Sequence, residues 1–234
     1  MTIQAGTAED VVAELEARHD PEQLATVRKR LAPDEPAIGL RMRDLFDVAK
    51  AHQHLPLDEV DRLLDHPAYE SRMAAFCILD FTARRRIDDE QRRAMYELYL
   101  GRHERITTWD MVDRAAPRVV GGHLAGRSLD PLRTLAEAAA PLRRRTAITA
   151  PLYFVKGGSD DDLAGGFRIA SMLASDPDPV VHNAVGIFVK HAGTRDEAAF
   201  VAFLDEHASS MARPAVRLAT EHLGPDERAR WRRD

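Results

Sequence analysis

The chain has 234 residues, 44% of them apolar and 30% charged, and a net charge of −5. This composition supports a sizeable core, as one elongated domain or two small ones, and excludes a disordered chain. No apolar run approaches the roughly 18 residues of a membrane helix, no charged-then-apolar leader opens the chain, and the acidic balance argues against a general nucleic-acid binder; a cytoplasmic globular protein is expected.

The segment through Asp20 is acid-rich, whereas Arg84-Arg85-Arg86, Arg92-Arg93 and Arg143-Arg144-Arg145 are dense positive runs. Segregated charge allows a basic groove within an acidic chain, and such runs equally suit solvated helix faces. Asp61-Arg62-Leu63-Leu64 precedes a His66-Pro67 break, after which the spacing predicts a helix from Glu70 to Phe81. The lone cysteine, Cys77, lies in that apolar run and reads as a core residue in a reducing compartment. In Thr107-Thr108-Trp109-Asp110-Met111-Val112-Asp113, an indole and a carboxylate four residues apart share one helix face. An aromatic surface beside a fixed negative charge suits a flat or cationic ligand. The same residues also suit a core edge with a helix cap, because Thr107 and Asp110 have the spacing of a capping box.

Segments starting at Glu70, Leu142 and Val180 can be laid over one another, aligning Ala75, Ala147 and Ala184, with Val112 close to midway between the first two. The period of about 35–37 residues is that of helical repeats. Ser175-Asp176-Pro177-Asp178-Pro179 leads into a Val-rich helix, where aspartate suits the cap and proline the first turn, an arrangement that resembles HEAT-type repeats. Loops are expected at Pro33–Pro36, Gly121-Gly122, Gly157-Gly158-Ser159 and Gly193-Thr194, none long enough to link domains. Strand signals are nearly absent. The pattern therefore reads as all-α: a HEAT-like helical-repeat solenoid, a curved superhelix of about six antiparallel helix pairs forming one domain over residues 1–234. An ordinary helical bundle competes with it.

Taken in order, Ile38-Gly39-Leu40-Arg41, Trp109-Asp110-Met111-Val112-Asp113, Arg145-Thr146-Ala147-Ile148, Asn183-Ala184-Val185-Gly186-Ile187-Phe188-Val189-Lys190 and Arg213-Pro214-Ala215-Val216-Arg217 resemble the AlkD-like branch of the DNA alkylation repair proteins, the HEAT-like-repeat DNA glycosylases. The resemblance implies a protein that holds duplex DNA and releases purines alkylated at N3 or N7; a monomer is expected because repeat arrays of this kind are often monomers, and no cofactor or metal is expected. Such a purine already carries positive charge, so what needs stabilising is the cationic sugar that develops as the bond breaks. By resemblance Asp113 does this, Trp109 faces the cationic nucleotide, and Arg145 holds backbone phosphate near the lesion, with Arg41, Lys190, Arg213 and Arg217 as further DNA contacts. The lesion stays largely stacked, so no deep base pocket is expected.

Where the family commonly has Lys-Ala-Ile-Gly-Trp, this chain has Asn183-Ala184-Val185-Gly186-Ile187. The lesion-site wall at Ile187 is thus aliphatic, which removes cation–π stabilisation on the order of 1–2 kcal/mol. Gly186 is expected to permit close helix packing. His52-x-His54 has no cysteine or acid to complete a metal set. Two other functions stay open at this level: a non-catalytic relative that binds damaged or branched DNA, and a scaffold for protein partners.

Overall fold

The computed structural model describes residues 6–231 as helices and turns, with no strand among them. The chain forms two compact units that divide after Ala115, a partition that the sequence expectation of one domain does not contain.

Unit 1 runs through α1 (Ala8–Glu16), α2 (Pro21–Arg28), α3 (Met42–Ala51), α4 (Leu57–Leu64), α5 (Tyr69–Ala83) and α6 (Asp89–Gly101) to α7 (Trp109–Ala116). Its centre is α5, on which α3 and α4 pack and in which every residue from Tyr69 to Asp80 is buried. A helix apolar on nearly all sides has to sit inside, and Cys77 is buried with it. The charged side chains that α5 carries inward have partners, whereas the buried Ser71 hydroxyl has none. Glu70 accepts from the backbone N–H groups of Ile38 and Gly39, each at 2.8 Å. Arg72 pairs with Glu35 and donates to the Pro67 carbonyl at 2.7 Å. Gly39 has φ +90°, and a Cβ there would lie 2.6 Å from Leu24 Cβ, so this turn admits only glycine. Ile38-Gly39-Leu40-Arg41 is thus the clamped entry to α3, with Arg41 at its N-cap.

Unit 2 opens on a π-helical turn (Pro117–Gly121) and contains α8 (Gly122–Leu124), α9 (Asp130–Ala136), α10 (Pro141–Thr149), α11 (Phe154–Gly157), α12 (Asp160–Leu173), α13 (Pro179–Gly193), α14 (Glu197–His207), α15 (Arg213–Thr220) and α16 (Pro225–Ala229). α10 packs on α9, α12 and α13, and α13 packs on α14 and α15. The expected Asp-Pro start is present: Asp178 caps α13 by accepting from Val180 N at 2.9 Å, and Pro179 opens the helix. A Cβ on Gly186 would come within 2.4 Å of the Ala215 carbonyl oxygen, which is the close α13–α15 packing expected of it.

α5, α10 and α13 begin one residue ahead of the three segments aligned from sequence, and α7 and α15 continue the series. The fold is an all-α helical repeat. The arginine runs are largely committed within it. Arg84 pairs with Asp80, Arg85 donates to the Gln53 carbonyl, and Arg144 grips Asp176 at 2.6 and 3.2 Å while donating to the carbonyls of Ala138 and Ala139. Among the described residues no helix is long and apolar enough to cross a membrane.

Candidate active site

α7 is amphipathic: Met111 and Val112 are fully buried, while Trp109 at its first turn is 50% exposed. Four residues on, Asp113 is partly exposed on the same face. Both line one open cavity of about 350 Å³, together with Asp110 and Arg114. Its other walls are Met42 and Phe46 of α3, Met73 of α5, and Arg30 just beyond α2, so the site lies within unit 1.

The capping box read from Thr107 and Asp110 does not form. Thr107 donates its hydroxyl to Glu35 at 2.5 Å, a partner 72 residues away. Asp110 instead accepts from the Thr108 hydroxyl and from Tyr69 Oη at 2.6 Å, with Arg30 Nη1 at 3.7 Å. This carboxylate ties α7 to the start of α5. Burial, and then the Asp110 charge, push the Tyr69 phenol well above its ordinary pKa, so it remains a donor.

Arg114 also has a fixed place. Its guanidinium stands 4.4 Å from the Phe46 ring centroid and 4.5 Å from that of Phe81, and it pairs with the buried Asp80 at 2.9 Å. The cavity presents the Asp113 carboxylate beside an indole, a phenyl ring and two thioethers, a surface suited to a flat cation.

Arg41 belongs to unit 1 but does not line this cavity; its side chain is 66% exposed and 3.8 Å from Asp20. The remaining residues singled out by sequence belong to unit 2. Arg145 departs from expectation: it is only 4% exposed and donates to the Val180 carbonyl, tying α10 to the start of α13. A buried guanidinium used this way offers little to a backbone phosphate. Lys190 donates to Glu221 at 2.7 Å, Ile187 is half-buried on α13, and Arg213 and Arg217 are exposed on α15. Sequence reasoning missed Tyr69, Arg30, Met42, Phe46 and Met73. Of these only Met73 lies in a helix expected from sequence, the one from Glu70 to Phe81. Among the described residues no cluster of three histidine, cysteine or acidic side chains is placed to hold a metal ion.

The sequence profile of a family described as DNA alkylation repair enzyme matches residues 11–223. The chain belongs to this family. The match spans the residues singled out from sequence, from Arg41 to Arg217. Among solved structures, the chain is similar to a predicted DNA alkylation repair enzyme from Enterococcus faecalis, at 15% identity and a TM-score of 0.66, over 89% of this chain and 98% of that one. At that identity the likeness is one of fold. No curated protein matches the chain. Family membership gives the protein a role in DNA alkylation repair.

Proposed function

We propose that this DNA alkylation repair protein is a glycosylase that releases N3- or N7-alkylated purines from duplex DNA, acting as a monomer. The observation that carries the reading is that Asp113 and Trp109 share one face of α7 and line one open cavity. Alkylation leaves the purine cationic and a good leaving group, so positive charge moves onto the sugar as the glycosidic bond breaks. The Asp113 carboxylate stabilises that charge and orients water toward C1′, while the Trp109 indole faces the cationic nucleotide. Water supplies the new C1′–O bond, the purine leaves with the electrons of the old one, and a proton goes to solvent. The openness of the cavity suits a lesion approached without a deep base pocket. Arg41, Lys190, Arg213 and Arg217 are the proposed phosphate contacts, and Ile187 the aliphatic wall; Arg145 is left out because of its burial.

The test is release of free methylated purine from N-methylated duplex DNA, comparing wild type with Asp113→Asn. Release that depends on Asp113 supports the reading. Release unaffected by the substitution removes the catalytic assignment, and duplex binding without any release indicates a non-catalytic binder of damaged DNA, with Ile187 in place of an aromatic as its physical basis.

A further inference from the structure

Although the chain carries a net charge of −5, one cavity of unit 2, about 310 Å³ in volume, is lined by three arginines and no acid. Arg213 and Arg217 come from successive turns of α15, and Arg228 from α16; Trp231, Met211 and Val216 supply apolar wall. Most arginines of this chain are answered by carboxylates or carbonyls. Among the described residues Arg217 and Arg228 have neither an ion pair nor a side-chain hydrogen bond. Two unanswered guanidiniums lining one cavity repel each other until an anion joins them. The indole beside them is held in place: Trp231 Nε1 donates to Asp205 at 2.9 Å, the ring meets Phe200 at 6.0 Å and a steep angle, and the Arg230 guanidinium lies over it at 5.1 Å, so a base would take the ring's other face.

A guanidinium fork matches phosphate oxygens, and a fixed indole offers a stacking surface to a nucleobase of any sequence. The volume is at the small end of ligand sites and leaves room for one such unit. We infer that this cavity binds a single phosphorylated nucleoside unit, with the phosphate on Arg217 and Arg228 and the base against Trp231. An unpaired strand end and a free nucleotide share this chemistry. The inference deepens the proposed function, in which Arg213 and Arg217 already meet phosphate; undamaged ligands test it, so its outcome is read apart from base release.

Replacing Trp109 with Phe leaves Trp231 as the lone tryptophan and its fluorescence as a report on the cavity. In that background the full chain is titrated with deoxyadenosine 5′-monophosphate, deoxyadenosine, inorganic phosphate, a blunt duplex and a duplex with a one-nucleotide overhang. The monophosphate should change the signal saturably, and deoxyadenosine and phosphate should each bind at least about tenfold more weakly. Arg217→Ala with Arg228→Ala should weaken the monophosphate by more than about tenfold, while an unchanged melting temperature shows that the fold is kept. Response to the overhang duplex but not the blunt one assigns the ligand to a strand end; response to the monophosphate alone assigns it to a free nucleotide; equal response to both duplexes leaves the arginines as plain duplex contacts and overturns the proposal. No response to either, equal affinity for deoxyadenosine or phosphate alone, or full binding by the double variant overturns the proposal.

Discussion

Arg114 and Asp80 form an ion pair at 2.9 Å between α7 and the buried face of α5, with the guanidinium between the rings of Phe46 and Phe81. The cation adjacent to Asp113 in sequence is thereby directed to another carboxylate, one that is fully buried. Stranding a buried charge costs about 3–5 kcal/mol, and Arg84 still lies 2.8 Å from Asp80, so we predict that Arg114→Leu costs about 3 kcal/mol in urea unfolding. Adding Asp80→Asn should recover part of that loss. Strict additivity in the double-mutant cycle would show that the two residues do not interact.

Asp113→Asn should slow single-turnover release of N7-methylguanine by about 10²–10³-fold, the usual effect of removing one preorganised electrostatic contact. A carboxylate facing a polyanion weakens ground-state binding, so the variant should hold duplex DNA at least as tightly as wild type in an anisotropy titration. A parallel fall in affinity and rate would assign Asp113 to binding instead.

Trp109 is half exposed and contributes little to the core. Trp109→Ala should therefore change unfolding free energy by less than about 0.5 kcal/mol while reducing base release about tenfold, the equivalent of one cation–π contact. Trp109→Phe should fall between, because a phenyl face attracts a cation less strongly. Full activity with leucine at this position would show that only apolar surface is needed there.

Helix starts were legible because their signals are local: Asp178 and Pro179 open α13 as their chemistry requires, and the helix anticipated from Glu70 to Phe81 is the middle of α5. The i, i+4 relation of Trp109 and Asp113 was legible for the same reason. What the sequence concealed depends on partners distant along the chain. Thr107 has the spacing of a cap, yet Glu35 takes its hydroxyl. Asp110 and Asp113 look alike in sequence; Tyr69, 41 residues earlier, makes one of them structural. Arg145 sits in a basic run, and only the packing of α10 on α13 reveals that its side chain is buried.

Stability at alkaline pH should report the Tyr69–Asp110 bond. Burial, and then the nearby carboxylate, raise the folded-state pKa of Tyr69 above the ordinary phenol value of 10.0. The folded chain keeps this proton where the unfolded chain loses it, so stability is fully present below about pH 10 and falls above it, by at most about 1.4 kcal/mol per pH unit for this group. Tyr69→Phe should remove this part of the slope between about pH 9 and pH 11, and should cost about 1–2 kcal/mol near neutrality by depriving Asp110 of a donor. Urea midpoints across that range check both. An unchanged alkaline slope would show that other groups govern it.

The proposed phosphate contacts differ in how readily they can leave their present partners. Lys190 is held by Glu221 at 2.7 Å, and this hydrogen bond, with the lysine charge, lowers the Glu221 pKa. Arg41 is more exposed and only loosely paired, 3.8 Å from Asp20. Each full phosphate contact contributes about −0.9 to the slope of log K against log salt. Arg41→Ala should flatten that slope by close to this amount on undamaged duplex, and Lys190→Ala by less, because the lysine must first give up a carboxylate. Glu221→Gln should then raise affinity at low salt while leaving the Arg41 effect intact. If Lys190→Ala and Arg41→Ala flatten the slope equally, the Lys190–Glu221 pair opens without measurable cost; if neither changes it, the DNA lies elsewhere on the protein.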